Sequence, residues 1–125
     1  MPLQIIKSDD GETVERSGDA IFEGGQVWGR GFTGGGASRD LNVALVQFGA
    51  GARARWHRHT SDQVLYVVAG VGKVGDRDGD HVLSSGDCAI VPANTDHWHG
   101  AHDTGSPMSH LAITAAGSET TVLEA

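Results

Sequence analysis

A chain of 125 residues and 13.0 kDa has room for one domain, residues 1–125, and for a core that holds without disulfide or structural-metal staples. Sixteen acids against nine bases leave a net charge of −7, which argues against nucleic acid and against an anionic membrane surface as partners. Cys88 is the only cysteine, so no internal disulfide is available; with a start that lacks a basic region followed by an apolar stretch, this predicts a soluble, cytoplasmic protein.

Nineteen glycines disfavour long helices, and no window keeps an apolar stripe at helical period. Residues 24–36 come first, with seven glycines around Val27, Trp28 and Phe32. They are expected as an irregular edge segment packed by Trp28 and Phe32, with a mobile substrate flap as the alternative. Strand signals follow at Leu41 to Phe48, Val64 to Ala69, Val82 to Leu83, Cys88 to Val91 and His110 to Thr114. Turn chemistry separates them at Gly49-Ala50-Gly51, Gly70-Val71-Gly72, Asp76 to Asp80 and Ser84 to Asp87. The thiol of Cys88, inside the apolar run Cys88-Ala89-Ile90-Val91, is expected in the core. The tail from Gly117 to Ala125 reads either as a last edge strand or as a frayed end. Short strands at this rhythm predict an all-β sandwich or barrel.

Six of seven histidines fall in two windows, His57 and His59, then His97, His99, His102 and His110; only His81 stands apart and reads as a surface residue. Alternation along a strand sends His57 and His59 to one face, and His97 and His99 to one face, with Trp56, Arg58 and Trp98 pointing away. Imidazoles gathered inside a closed sheet leave unsatisfied lone pairs unless they share a cation, and His97 is the candidate third ligand. Gln63, which starts a strand expected to run back along the one carrying His57 and His59, could reach the same centre. Apolar residues of the first and last strands, Val43, Leu45, Phe48 and Ala112, are expected as pocket walls.

Gly51-x5-His57-x-His59-x3-Gln63-x6-Gly70 resembles the first cupin motif, and Gly86-x5-Pro92-x-Asn94-x2-His97 resembles the second. This implies a single-domain cupin, a double-stranded β-helix or jelly-roll barrel, with the motif region at residues 51–97. Two positions depart from the common pattern: Gln63 stands for glutamate, and Asn94 for a glycine whose left-handed turn it tolerates. Trp56-His57-Arg58-His59, Gln63, His97-Trp98-His99-Gly100-Ala101 and Met108-Ser109-His110-Leu111-Ala112-Ile113 resemble the small metal-dependent hydroxynitrile lyases of bacteria, which have a threonine where this chain has Ala54. The resemblance implies one divalent metal ion per chain, manganese or iron first and zinc, cobalt or nickel permitted, held by His57, His59, Gln63 and His97. It places His99 and His110 next to a small-molecule substrate as catalytic groups.

An amide oxygen cancels no metal charge, so three imidazoles plus Gln63 leave a divalent centre at its full charge. Lewis-acid chemistry is thereby favoured over redox chemistry, and the expected activity is a lyase that cleaves or forms cyanohydrins. An Fe(II)-dependent dioxygenase and a non-catalytic metal-dependent sensor or binding module are the alternatives. A homodimer is expected by analogy with other small cupins, whose exposed edge strands pair.

Overall fold

A computed structural model describes residues 2–123. Among the described residues twelve strands run in chain order: β1 Val14–Glu15, β2 Phe22–Glu23, β3 Val27–Gly31, β4 Leu41–Phe48, β5 Arg53–Ala54, β6 His57–His59, β7 Gln63–Asp76, β8 Gly79–Ser84, β9 Cys88–Val91, β10 Trp98–Ala101, β11 Met108–Ala115 and β12 Thr120–Val122. Every pairing among them is antiparallel. No helix among the described residues is long and apolar enough to cross a membrane.

β7 organises the rest. Its first half lies between β9 and β11 in a sheet that continues through β4, β3 and β1. Its second half lies between β8 and β10 in a sheet that continues through β5 and β2. The expected turn at Gly70-Val71-Gly72 is therefore a bend inside one 14-residue strand. Gly70 makes it possible: its φ of +79° is open to glycine, and any Cβ there would meet the carbonyl of Pro107. A register shift against Ser109 and His110 marks the same place, where a bulge turns the strand from one sheet to the other.

The core lies between the two sheets. Phe48, Val46, Val67, Val27 and Met108 meet Phe22, Ala54, Leu83 and Ala101 in one apolar cluster, with Phe22 edge-on to Phe48 at 5.8 Å. Strand parity decides membership. On β4, Val46 and Phe48 face in, as does Ala112 on β11 next to the core. Val43 and Leu45 were expected as pocket walls; they point to the opposite, outer face instead, in register with Ile113 and Leu111. Cys88 is likewise exposed, because the inward positions of β9 are Ala89 and Val91.

The glycine-rich segment is irregular only at its two ends, residues 24–26 and 32–36, with a strand between them. Its Val27 to Gly31 form a strand paired on both sides, with β1 and β4, and it is pinned by fully buried Val27, while Trp28 is exposed. Gly29 belongs there because a Cβ would stand 2.7 Å from the Arg16 side chain. The tail closes as an edge strand, with Thr120 to Val122 paired to His59 to His57; residues 124 and 125 lie outside the described part.

Candidate metal centre

Four structural devices bring five histidines to one spot. β6 puts His57 and His59 on its inward face, both buried. A reciprocal bridge sets His97 opposite His57, each amide donating to the other's carbonyl at 2.9 Å. β10 then carries His99 inward two residues beyond His97, and β11 supplies His110 in register with Val46 and Val67. Asn94 supports the loop before His97: its φ of 62° is the left-handed turn expected there, and its amide donates to the carbonyl of His59 at 2.8 Å. The rings form a contiguous row, with centroids 4.2 Å apart for His57 and His97, 4.9 Å for His57 and His59, 5.2 Å for His57 and His99, and 5.0 Å for His99 and His110.

Outer hydrogen bonds fix the first three rings. The Nδ1–H of His57 donates to the Arg55 carbonyl at 2.6 Å, and that of His97 donates to the Thr95 carbonyl at 2.9 Å. A carbonyl only accepts, so both rings carry their proton on Nδ1 and present a bare Nε2 to the interior. His59 is held through Nδ1 by the Thr120 hydroxyl at 2.8 Å. One ligating nitrogen from each of His57, His59 and His97 falls within 4.8 Å of the others, a grouping that could hold a metal ion.

Nε2 of His57 and of His59 are buried without a hydrogen-bond partner, at a cost of about 1–3 kcal/mol each. Nε2 of His97 faces Oε1 of Gln63 at 3.1 Å, which sets a lone pair against a carbonyl oxygen. Turning the amide over would relieve that one contact and leave both orphaned nitrogens as they are. A cation shared by the four side chains relieves all of them, so the residues present fit a divalent ion. Gln63 reaches this point from the start of β7, which pairs with β9 and β11; the expectation that it runs back along β6 is not met, since β6 pairs with β12.

The other two rings are arranged differently. His110 Nε2 and His99 Nδ1 lie 3.2 Å apart and share one proton, while His99 Nε2 and His110 Nδ1 find no partner. Whichever ring donates, the pair keeps one free N–H and one free lone pair. Phe48 packs against both, 5.9 Å from His99 edge-on and 5.3 Å from His110. Burial holds the row neutral. Desolvation, then the neighbouring His97, pushes His57 down to about 3, and desolvation pushes His110 down to about 4. The imidazoles of His59, His97 and His99 are lowered for the same leading reason.

The cupin domain family matches residues 44–114, which span both histidine windows and the strands that carry them. The chain belongs to this family. The all-β barrel anticipated from the two motifs is the cupin fold, and it is shared with solved structures. A cupin-like protein from Thermotoga maritima aligns over 94% of this chain and 90% of its own, at 29% identity and a TM-score of 0.82. A polyketide cyclase from Streptomyces resistomycificus aligns over 100% and 87%, at a TM-score of 0.80 but 11% identity, which shows the fold alone. In sequence, the chain is 43% identical over 72 residues to a protein named (R)-mandelonitrile lyase from Granulicella tundricola, covering 56% of this chain. This cupin spans about half the length of that relative, 53%.

The remaining aromatic and basic residues of the first window serve the surface of the cupin. Trp56 and Trp98 are half-buried, each under a guanidinium, with Arg77 at 3.9 Å and Arg53 at 4.0 Å. Arg53 and Arg55 pair with Glu23, and Arg58 with Asp96. Thr120 was missed by sequence reading; the only available signal was a β-branched pair near the chain end, which says nothing about His59. His81 is exposed, as expected of a surface residue, and lines a cavity whose lining also includes His97.

Proposed function

We propose that this cupin binds one divalent cation through Nε2 of His57, His59 and His97 and through Oε1 of Gln63, and that it works as a hydroxynitrile lyase-type enzyme. The observation that carries the reading is the cluster of buried imidazoles in which backbone carbonyls fix the tautomers of His57 and His97, the Thr120 hydroxyl holds His59, and the inner nitrogens of His57 and His59 have no partner while that of His97 faces the Gln63 amide oxygen. The partial likeness to a mandelonitrile lyase supplies the substrate class. A bound dication would supply Lewis-acid stabilisation of a leaving anion, undiminished by any carboxylate among its ligands.

The chain's own residues do the rest. The His99–His110 pair takes the cyanohydrin hydroxyl proton onto its free lone pair. The bond between the carbinol carbon and the nitrile carbon then breaks, its electron pair leaving with cyanide as the carbonyl forms. The pair's free N–H returns a proton to cyanide, so that hydrogen cyanide and an aldehyde or ketone depart; the shared proton crosses between the rings and leaves the pair in its mirror tautomer, again with one free lone pair and one free N–H. Phe48 excludes water from these two rings and keeps them facing each other. Metal analysis of the purified protein, followed by cyanide release from mandelonitrile with and without that metal, tests the proposal. Release that needs metal and proceeds without oxygen supports it; bound metal with no release, or turnover only in oxygen, overturns the lyase.

A further inference from the structure

β9, the first half of β7, β11 and β4 bury one face in the core, and their other face is apolar as well. Ile90, Val64, Ile113 and Val43 run across it in register, and Tyr66, Leu111 and Leu45 form the next row. No outward position of these four strands carries a charge. The opposite sheet differs: its outward side holds the ion pairs Arg53–Glu23 and Lys73–Asp80, each at 3.6 Å, as a sheet face in water should. Strands that are apolar on both sides belong to a sheet covered on both sides. Here the second cover is missing, with Ile90 70% exposed and Tyr66 41%. The N-terminal arm does not supply it. Arg30, at the rim on β3, donates to the carbonyls of Lys7 and Asp10, and Leu3, Ile5 and Ile6 beyond them stay exposed.

We propose that a second copy of this chain seats on this face, sheet against sheet, so that the dimer is made by the face and not by edge strands. The proposal stands apart from the metal centre and its reaction. Area and charge select this occupant. Four strands about 4.8 Å apart and about six residues of about 3.4 Å each span roughly 20 by 20 Å, or about 400 Å² in flat projection. The side chains standing on it, joined by Trp28 of the neighbouring β3, raise the accessible area towards the roughly 600–800 Å² per partner of a stable interface. At a net charge of −7, two copies repel each other over most of their surface, and they meet at least cost where no charge stands. A basic partner would be drawn to the acidic surface elsewhere. A two-fold axis sets the same patch on both sides, which an uncharged apolar face satisfies without an unlike partner.

Sedimentation equilibrium of the full chain tests the proposal, with Tyr66→Lys and Ile90→Lys as variants. Both side chains are exposed in a single copy, so a lysine at either place reaches water, and far-ultraviolet dichroism should be unchanged. The parent is expected to be a dimer, and each variant should raise its dissociation constant by about thirtyfold or more. Tyr66→Ser, a milder change, should move in the same direction, while Val82→Lys, on the charged outer side of the other sheet, should stay within about twofold. Cys88, in register with Tyr66, gives a second reading: its alkylation by a bulky maleimide should slow over the concentrations at which the mass doubles. A parent that is monomeric at every soluble concentration leaves the face to the arm or to another protein and overturns the proposal. So does a dimer indifferent to both Tyr66 variants, because Tyr66 lies on a strand paired on both sides, where an edge-made dimer would not reach it. Equal loss of the dimer in Val82→Lys would overturn it in favour of the charged sheet.

Discussion

The two ends of the imidazole row are built from the same side chain and differ in what lies behind each ring. At one end, backbone carbonyls of Arg55 and Thr95 and the hydroxyl of Thr120 hold Nδ1 of His57, His97 and His59. At the other end, His99 and His110 have only each other and the ring of Phe48. A ring whose outer nitrogen is tied to a carbonyl has one fixed tautomer and points a lone pair inward, as a ligand must, and the hydroxyl on His59 holds its ring in place and can accept the same Nδ1–H. A ring tied only to its twin can exchange its proton, as an acid–base pair must. Outer contacts, rather than residue type, divide the row into a holding end and a moving end.

Removing a member of the holding end should break the contrast most. His97→Ala deletes a nitrogen and uncovers Gln63, so bound metal per chain should fall by more than about a hundredfold in affinity, read by metal analysis after dialysis against a weak chelator. The same variant should keep the strand bridge, which is made by backbone groups. Thr120→Val comes next: it frees Nδ1 of His59 without touching its inner nitrogen, and metal affinity should drop by about 10–100-fold with far-ultraviolet dichroism unchanged. An affinity equal to the parent's would show that the ring is positioned by packing alone. Gln63→Glu sharpens the comparison in the opposite direction. A carboxylate would bind the cation tighter, by about tenfold in chelator competition, and its charge would lower the metal's pull on cyanide, so turnover should fall while occupancy rises.

Much of this was legible in the order of residues, for identifiable reasons. Ligand positions show because period-two spacing and glycine-marked turns constrain them locally: His57 and His59 can only share a face, and Asn94 does adopt the left-handed turn assigned to it. What escaped depends on distant chain. Thr120 meets His59 only because the tail folds back on β6. The apolar run at Cys88 carries no alternation from which to read a face, and Val43 and Leu45 cannot share a face with Phe48 at their spacing. Seven glycines in residues 24–36 hid a strand whose inward positions are Val27 and the crowded Gly29. Gly70 and Gly72 looked like a turn because a bend between two sheets asks for the same residue.

At the moving end the expected effect is one of pH. In the metal-free protein, desolvation holds the His110 imidazole down to about 4, against about 6.5 in the unfolded chain. Between those values the unfolded state takes up a proton that the folded state refuses, so the unfolded state gains on acidification. The contribution of His110 is thus complete above pH 6.5 and is lost as the pH falls towards 4, a change of about 3 kcal/mol for a group this deeply buried. His110→Gln keeps a donor for His99 Nδ1 and cannot titrate. Its urea midpoint should therefore fall less steeply than the parent's between pH 6.5 and 4, while the two curves run parallel above pH 7. Parallel curves over the whole range would mean that His110 is hydrated in the folded protein, and a hydrated ring could not hold its proton in reserve for His99.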